Sequence, residues 1–145
     1  MKTVSKIALI ILYLCFTSCL NDDDSINFFY EGLPIASAEL PEELVKDSTY
    51  TIKVSYFRPT SCHRFEGFDY QGIKNERTIS AIAVVSDETT CETYDEAKEE
   101  DTSFNFLVGN ESSYIFNFWQ GRAADGSSKF LTIEVPTREA KVKIN

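Results

Sequence analysis

Positive charge, histidine and glycine are all scarce in this chain. Its 145 residues include one histidine, one tryptophan, six glycines and four prolines, and 14 Lys or Arg stand against 23 Asp or Glu. That deficit of positive charge excludes a nucleic-acid partner, because phosphate backbones repel so acidic a surface. With one histidine, any Ser-His-Asp or Cys-His centre would have to be built on His63, and no Gly-x-Ser-x-Gly elbow supplies a serine for it. A phosphate-binding glycine loop, a His-x-x-x-His zinc pair and internal repeats are likewise missing. Nothing here asks for a cofactor, and the expectation is a protein that is not an enzyme. Long hydrophobic runs are absent too. The ten apolar residues 7–16 reach only about half the length needed to span a bilayer. Aromatic residues, by contrast, are plentiful: eleven Phe and seven Tyr rule out disorder as the general state.

The N-terminus carries Lys2 and Lys6 ahead of that apolar run, which ends in Thr17-Ser18-Cys19. A basic start, a short apolar core and small residues are the parts of an export signal. Small residues placed just before Cys19 resemble the lipobox of bacterial lipoproteins. The resemblance implies a signal peptide over residues 1–18, cleavage before Cys19, and a diacylglyceryl group on the Cys19 thiol that anchors the protein in the cell envelope. The acidic run Asp22-Asp23-Asp24 behind it resembles the surface-export signal of Bacteroidetes lipoproteins, although its acids begin three residues after the cysteine. The same run also suits a solvated, self-repelling tether. Cleavage would remove two lysines and no acid, leaving twelve basic residues against 23 acidic ones, a formal charge near −11 over 127 residues. That length suffices for one domain with a real core. Four segments are expected: the signal at 1–18, a tether at 19–32, a folded domain at 33–136 and a tail at 137–145.

Of four cysteines, Cys15 leaves with the signal and Cys19 takes the lipid, so Cys62 and Cys91 remain. An exported chain meets an oxidising compartment, and a bond between them is expected. It would close a loop of about thirty residues, worth roughly 3.5 kcal/mol in the chain-entropy description. The rival arrangement is a metal site on Cys62, His63 and Cys91, which would need a fourth ligand and reduced thiols.

Alternation of apolar and polar residues dominates the rest. Tyr50, Ile52, Val54 and Tyr56 share one strand face, as do Phe104, Phe106 and Val108, then Tyr114, Phe116 and Phe118, then Leu131, Ile133 and Val135. Residues 77–85 are apolar on both faces over their second half, which suits a central strand. Eight acids crowd residues 87–101, where 92–100 is expected to form at most a helical turn or two. Glutamate dominance and the lack of glycine there favour a solvated acidic loop over a calcium site. About seven strands in roughly one hundred residues predict an all-β fold, an antiparallel β-sandwich. It is Ig-like in pattern only, since Trp119 follows both cysteines, whereas true immunoglobulin domains place a tryptophan between them.

One core is expected to collect Ile52, Val54, Tyr56, Phe104, Phe106, Phe116, Phe118, Leu131 and Ile133. Lys53, Ser55, Asn105, Asn117, Thr132 and Glu134 should point outward. Trp119 lies on the strand face opposite Phe116 and Phe118, so an exposed Trp119 beside Asn117 and Gln120 would suit stacking against a sugar ring or a peptide. The functional expectation is a lipid-anchored envelope module that binds a glycan or another envelope protein. The alternative is an envelope hydrolase or protease inhibitor acting through loops at one end.

Overall fold

The computed structural model describes residues 27–87 and 90–141. The signal segment, Cys19 and the acidic run lie outside the described residues. Nine strands follow in order: β1 (Phe28–Leu33), β2 (Ile35–Glu39), β3 (Leu44–Val45), β4 (Thr49–Thr60), β5 (His63–Ile73), β6 (Glu76–Ser86), β7 (Thr93–Leu107), β8 (Ser113–Arg122) and β9 (Ser128–Arg138). They form two sheets packed face to face, a β-sandwich as the alternation predicts. The count exceeds the seven strands expected. Strand β1 begins at Phe28, inside the segment expected to be tether. Strand β9 runs to Arg138, and the short β3 adds to its edge.

The larger sheet is built around β6, the strand predicted to be central. Strand β5 pairs with β6 along nearly all of one edge, from Glu76 to Val85. The other edge is shared: β1 lies antiparallel against Ala81–Ser86, while β8 lies parallel against Glu76–Ile79. The two therefore meet end to end. Strand β9 pairs with β8, and β3 completes the sheet. Two of these pairings, β6 with β8 and β3 with β9, are parallel, so the expectation of a purely antiparallel sandwich is corrected. The smaller sheet has the order β2-β4-β7 and is antiparallel throughout. Pro34 stands between β1 and β2, where the chain crosses from one sheet to the other.

Residues 92–100 are not helical. Residues 93–100 form the first half of the 15-residue β7, paired with β4 from Thr60↔Thr93 to Thr49↔Leu107. Partner contacts override the weak local signal. The Arg58 guanidinium bonds the Tyr94 hydroxyl at 3.1 Å and the Glu100 carboxylate at 3.1 Å, while the Cys62–Cys91 bond fixes where β7 starts.

The core sits between the sheets where parity placed it. Ile52, Val54, Tyr56, Phe106, Phe116 and Phe118 are buried, and Phe104, Leu131 and Ile133 are half-buried against them. Phe106 meets Tyr114 and Phe116 edge to face, with ring centres 4.9 and 5.1 Å away, a favoured aromatic geometry. Lys53, Asn105, Thr132 and Glu134 are exposed, and Asn117 is half-buried. Ser55 departs from the expectation: it faces outward yet is only 5% exposed. Its hydroxyl accepts from Ser37 at 2.7 Å and donates to Glu99 at 2.6 Å, so neighbours on β2 and β7 cover it.

Candidate functional site

Cys62 and Cys91 are bonded, with Cα atoms 5.4 Å apart. Their thiols are therefore consumed, which removes the metal arrangement weighed on the sequence. Beside the bond, His63 is 7% exposed and sits in a hydrogen-bond chain. Its Nδ1 is 2.7 Å from the Thr60 hydroxyl, and its Nε2 is 3.2 Å from a Glu31 carboxylate oxygen. A carboxylate only accepts, so Nε2 carries a proton toward Glu31, and in the neutral imidazole Thr60 donates to Nδ1. The order hydroxyl, imidazole, carboxylate is that of a nucleophile, base and orienting acid. The nearby cleft does not open onto it, however. That cleft, of about 440 Å³, is lined by Phe28, Cys62, Arg64 and Val84 but by neither Thr60 nor His63. The Thr60 hydroxyl also accepts the Cys62 N–H at 3.2 Å. The chain is a staple that ties β1 to the β4–β5 turn.

The three residues expected to face a ligand do not share one surface. The Trp119 ring lies over Gly32 of β1, its Cζ3 3.2 Å from where a Cβ on Gly32 would stand. The ring therefore occupies the outer face of the large sheet, in the seam where β8 meets β1. Its N–H points to the Ser128 hydroxyl at 3.3 Å. Phe28 and Tyr30 alternate with Gly32 and share its face, and Phe130 is the cross-strand partner of Trp119. Asn117 lies on the same face, where its side-chain oxygen accepts from Thr132 at 2.8 Å. Gln120 turns the other way, and its amide donates to the Ile35 carbonyl of the opposite sheet at 3.3 Å.

A second aromatic surface lies where β5 and β7 form the free flank of the sandwich. Phe68 meets Phe104 edge to face at 5.2 Å, and Tyr70 meets the same ring at 6.4 Å. Behind them the Arg77 guanidinium lies over Tyr114 at 4.8 Å and over Phe106 at 5.8 Å. The carbonyls of Lys74 and Glu76, each 2.7 Å away, hold it there. Phe68, Tyr70, Arg77, Phe104 and Phe106, together with Asn105 and Leu107, line an open cleft of about 380 Å³. Burial pushes the Tyr70 phenol above its ordinary value, and the nearby Arg77 opposes this in part. Tyr70 is thus a neutral hydrogen-bond donor at physiological pH.

The cleft's strand edge is open. Val108 N–H donates to the Ser48 carbonyl at 3.0 Å, so the alternate residues Leu107, Asn105 and Ser103 aim their backbone groups away from β4. Strand β7 has no second neighbour among the described residues. Long open edges invite unwanted pairing, and charges normally guard them. Here Asp95, Glu96, Lys98, Glu99, Glu100 and Asp101 guard the first half of β7, while Ser103–Leu107 carries no charge. Leu107 is 67% exposed beside the cleft. Parity alone would have placed Phe104 and Phe106, but the cleft joins them to Phe68, Tyr70 and Arg77 across the sandwich, a pairing with no local signal.

Among the described residues no group of three or more His, Cys, Asp or Glu stands close enough to hold a metal ion. No protein-family model, curated protein or solved structure matches the chain.

Proposed function

We propose that this protein is a lipid-anchored binding module of the bacterial cell envelope, held in the membrane through Cys19, that captures an extended segment of another envelope protein. The single observation that carries the ligand class is the uncharged, unpaired Ser103–Leu107 edge of β7 running along an aromatic cleft. An added strand gains main-chain hydrogen bonds from such an edge, and adjacent pockets select its alternate side chains. Tyr70 and Leu107 offer apolar contact, and Asn105 offers an amide. The anchor reading is supported by Lys2, Lys6, the apolar run and Thr17-Ser18-Cys19.

The test uses residues 19–145 with Cys19→Ala, which retain every strand. A displayed library of extended peptides and a glycan array are probed with the same protein. Peptides should be selected, and Asn105→Pro should abolish their binding. That change removes an edge N–H not used by β4, a position where proline is tolerated. Retention of glycans without any peptide, or peptide binding unchanged by Asn105→Pro, overturns the proposal.

A further inference from the structure

The outer face of the large sheet carries a second row of aromatics that strand capture leaves unused. Phe28 is 60% exposed, Tyr30 is 72% exposed and Phe130 is 43% exposed, with the half-buried Trp119 between them. The row is flat, because Gly32 lets the Trp119 ring lie on the β1 backbone. We infer that this face seats on the surface of the phospholipid bilayer that holds the anchor. The inference rests on the lipid reading of Cys19.

Two observations select a bilayer. First, Phe28 is the ninth residue after Cys19, so the face begins within about 30 Å of the anchored residue whatever path the chain takes. Second, the polar side chains beside the rings are partly engaged: the Asn117 oxygen accepts from Thr132, Trp119 N–H points to Ser128, and Gln120 serves the opposite sheet. The exposed side chains of the row are apolar rings with one phenol, the amphipathic set favoured at a membrane–water boundary. Charge does not select the face, because Glu66, Asp69, Glu76 and Glu134 share it with Arg64 by strand alternation; the rings supply the contact, to a zwitterionic headgroup layer. Seating the aromatic face leaves the β7 edge open at the side.

The experiment exploits two counts. Trp119 is the one tryptophan, and with Cys62 and Cys91 bonded, Cys19 is the one thiol in residues 19–145. Oxidised protein is coupled through Cys19 to a maleimide lipid in phosphatidylcholine vesicles, which imposes the anchor chemically. Trp119 emission should shift to the blue and be quenched by phosphatidylcholine brominated near the headgroup. Replacing both exposed side chains, Phe28→Ser with Tyr30→Ser, should abolish the quenching while the coupled protein still floats with the vesicles. Unquenched Trp119 in protein that floats overturns the inference, as does emission that answers to soluble glycans or peptides but not to lipid. Failure of the lipobox reading shows separately, as a native Cys19 without acyl mass, and does not affect the coupled sample.

Discussion

The Trp119 ring stands 3.2 Å from the point a Cβ on Gly32 would occupy, so the seam between β8 and β1 closes only around a residue without a side chain. The consequence is testable. Gly32→Val should lift the ring off β1, shift Trp119 emission to the red and cost about 1–3 kcal/mol in stability, the usual penalty for overpacking. Denaturant melts followed by fluorescence read both effects.

The Cys62–Cys91 bond clamps the end of β4 to the start of β7. Replacing both cysteines with serine should lower stability by about 2–5 kcal/mol. Urea midpoints of the variant and of reduced wild type should agree.

Phe116 is fully buried between the sheets, whereas Thr132 on the neighbouring strand is exposed. Phe116→Ala should cost about 3–5 kcal/mol, and Thr132→Ala about half a kcal/mol or less. The same melts check the pair, and a larger loss at Thr132 would place the strand register in error.

Burial raises the Tyr56 phenol above its ordinary value of 10.0, with the Glu100 carboxylate adding to the effect, and burial likewise raises Tyr70. Above that value the unfolded chain gives up these protons while the folded chain keeps them. Stability should therefore be flat below about pH 10, as far as these groups are concerned, and fall as pH rises through the folded values. Tyr56→Phe should reduce that alkaline slope, measured from denaturant midpoints between about pH 9 and about pH 11.

Cys19 is expected to carry lipid in the native host. Detergent-extracted protein should exceed the mass of the cleaved polypeptide by its acyl groups, and Cys19→Ala should leave the membrane fraction. A variant that is cleaved and stays membrane-bound contradicts the lipobox reading.

Most of the core was legible because strands repeat every two residues. Ile52, Val54, Phe106, Phe116 and Phe118 needed only their parity to be placed inside. The disulfide was legible by subtraction once Cys15 and Cys19 were accounted for. Strands β1 and β3 and the first half of β7 were not. The signal of β1 is a short run, Phe28-Phe29-Tyr30, β3 is only Leu44–Val45, and that half of β7 is diluted by acids from Asp95 to Asp101. Partners distant in sequence, β6 and β4, hold β1 and β7 extended. The parallel pairing of β6 with β8 has no local signature at all. The candidate surfaces follow the same rule. Trp119 was readable from its face, but its neighbours Tyr30 and Gly32 come from a strand about ninety residues earlier, brought there by the shared edge of β6.

That shared edge also sets how the molecule bears load. Among the described residues the chain's first bond to the sheet is the Asn27 carbonyl, which accepts from Asp87 N–H at 2.9 Å, so tension arriving from the N-terminal side acts first there and then on the six residue pairs between β1 and β6. Applied at that end, it peels their hydrogen bonds in succession rather than shearing them together. The contact from Glu31 to the buried His63 stands across the path of the tear, at the middle of the strand. Behind it, the Phe57 N–H bonded to the Pro34 carbonyl at 2.9 Å passes the remaining force into β4 and the small sheet. The first strand therefore meets such a pull before the disulfide-clamped pair β4 and β7 does, and the cleft beside that pair lies at the far end of the load path.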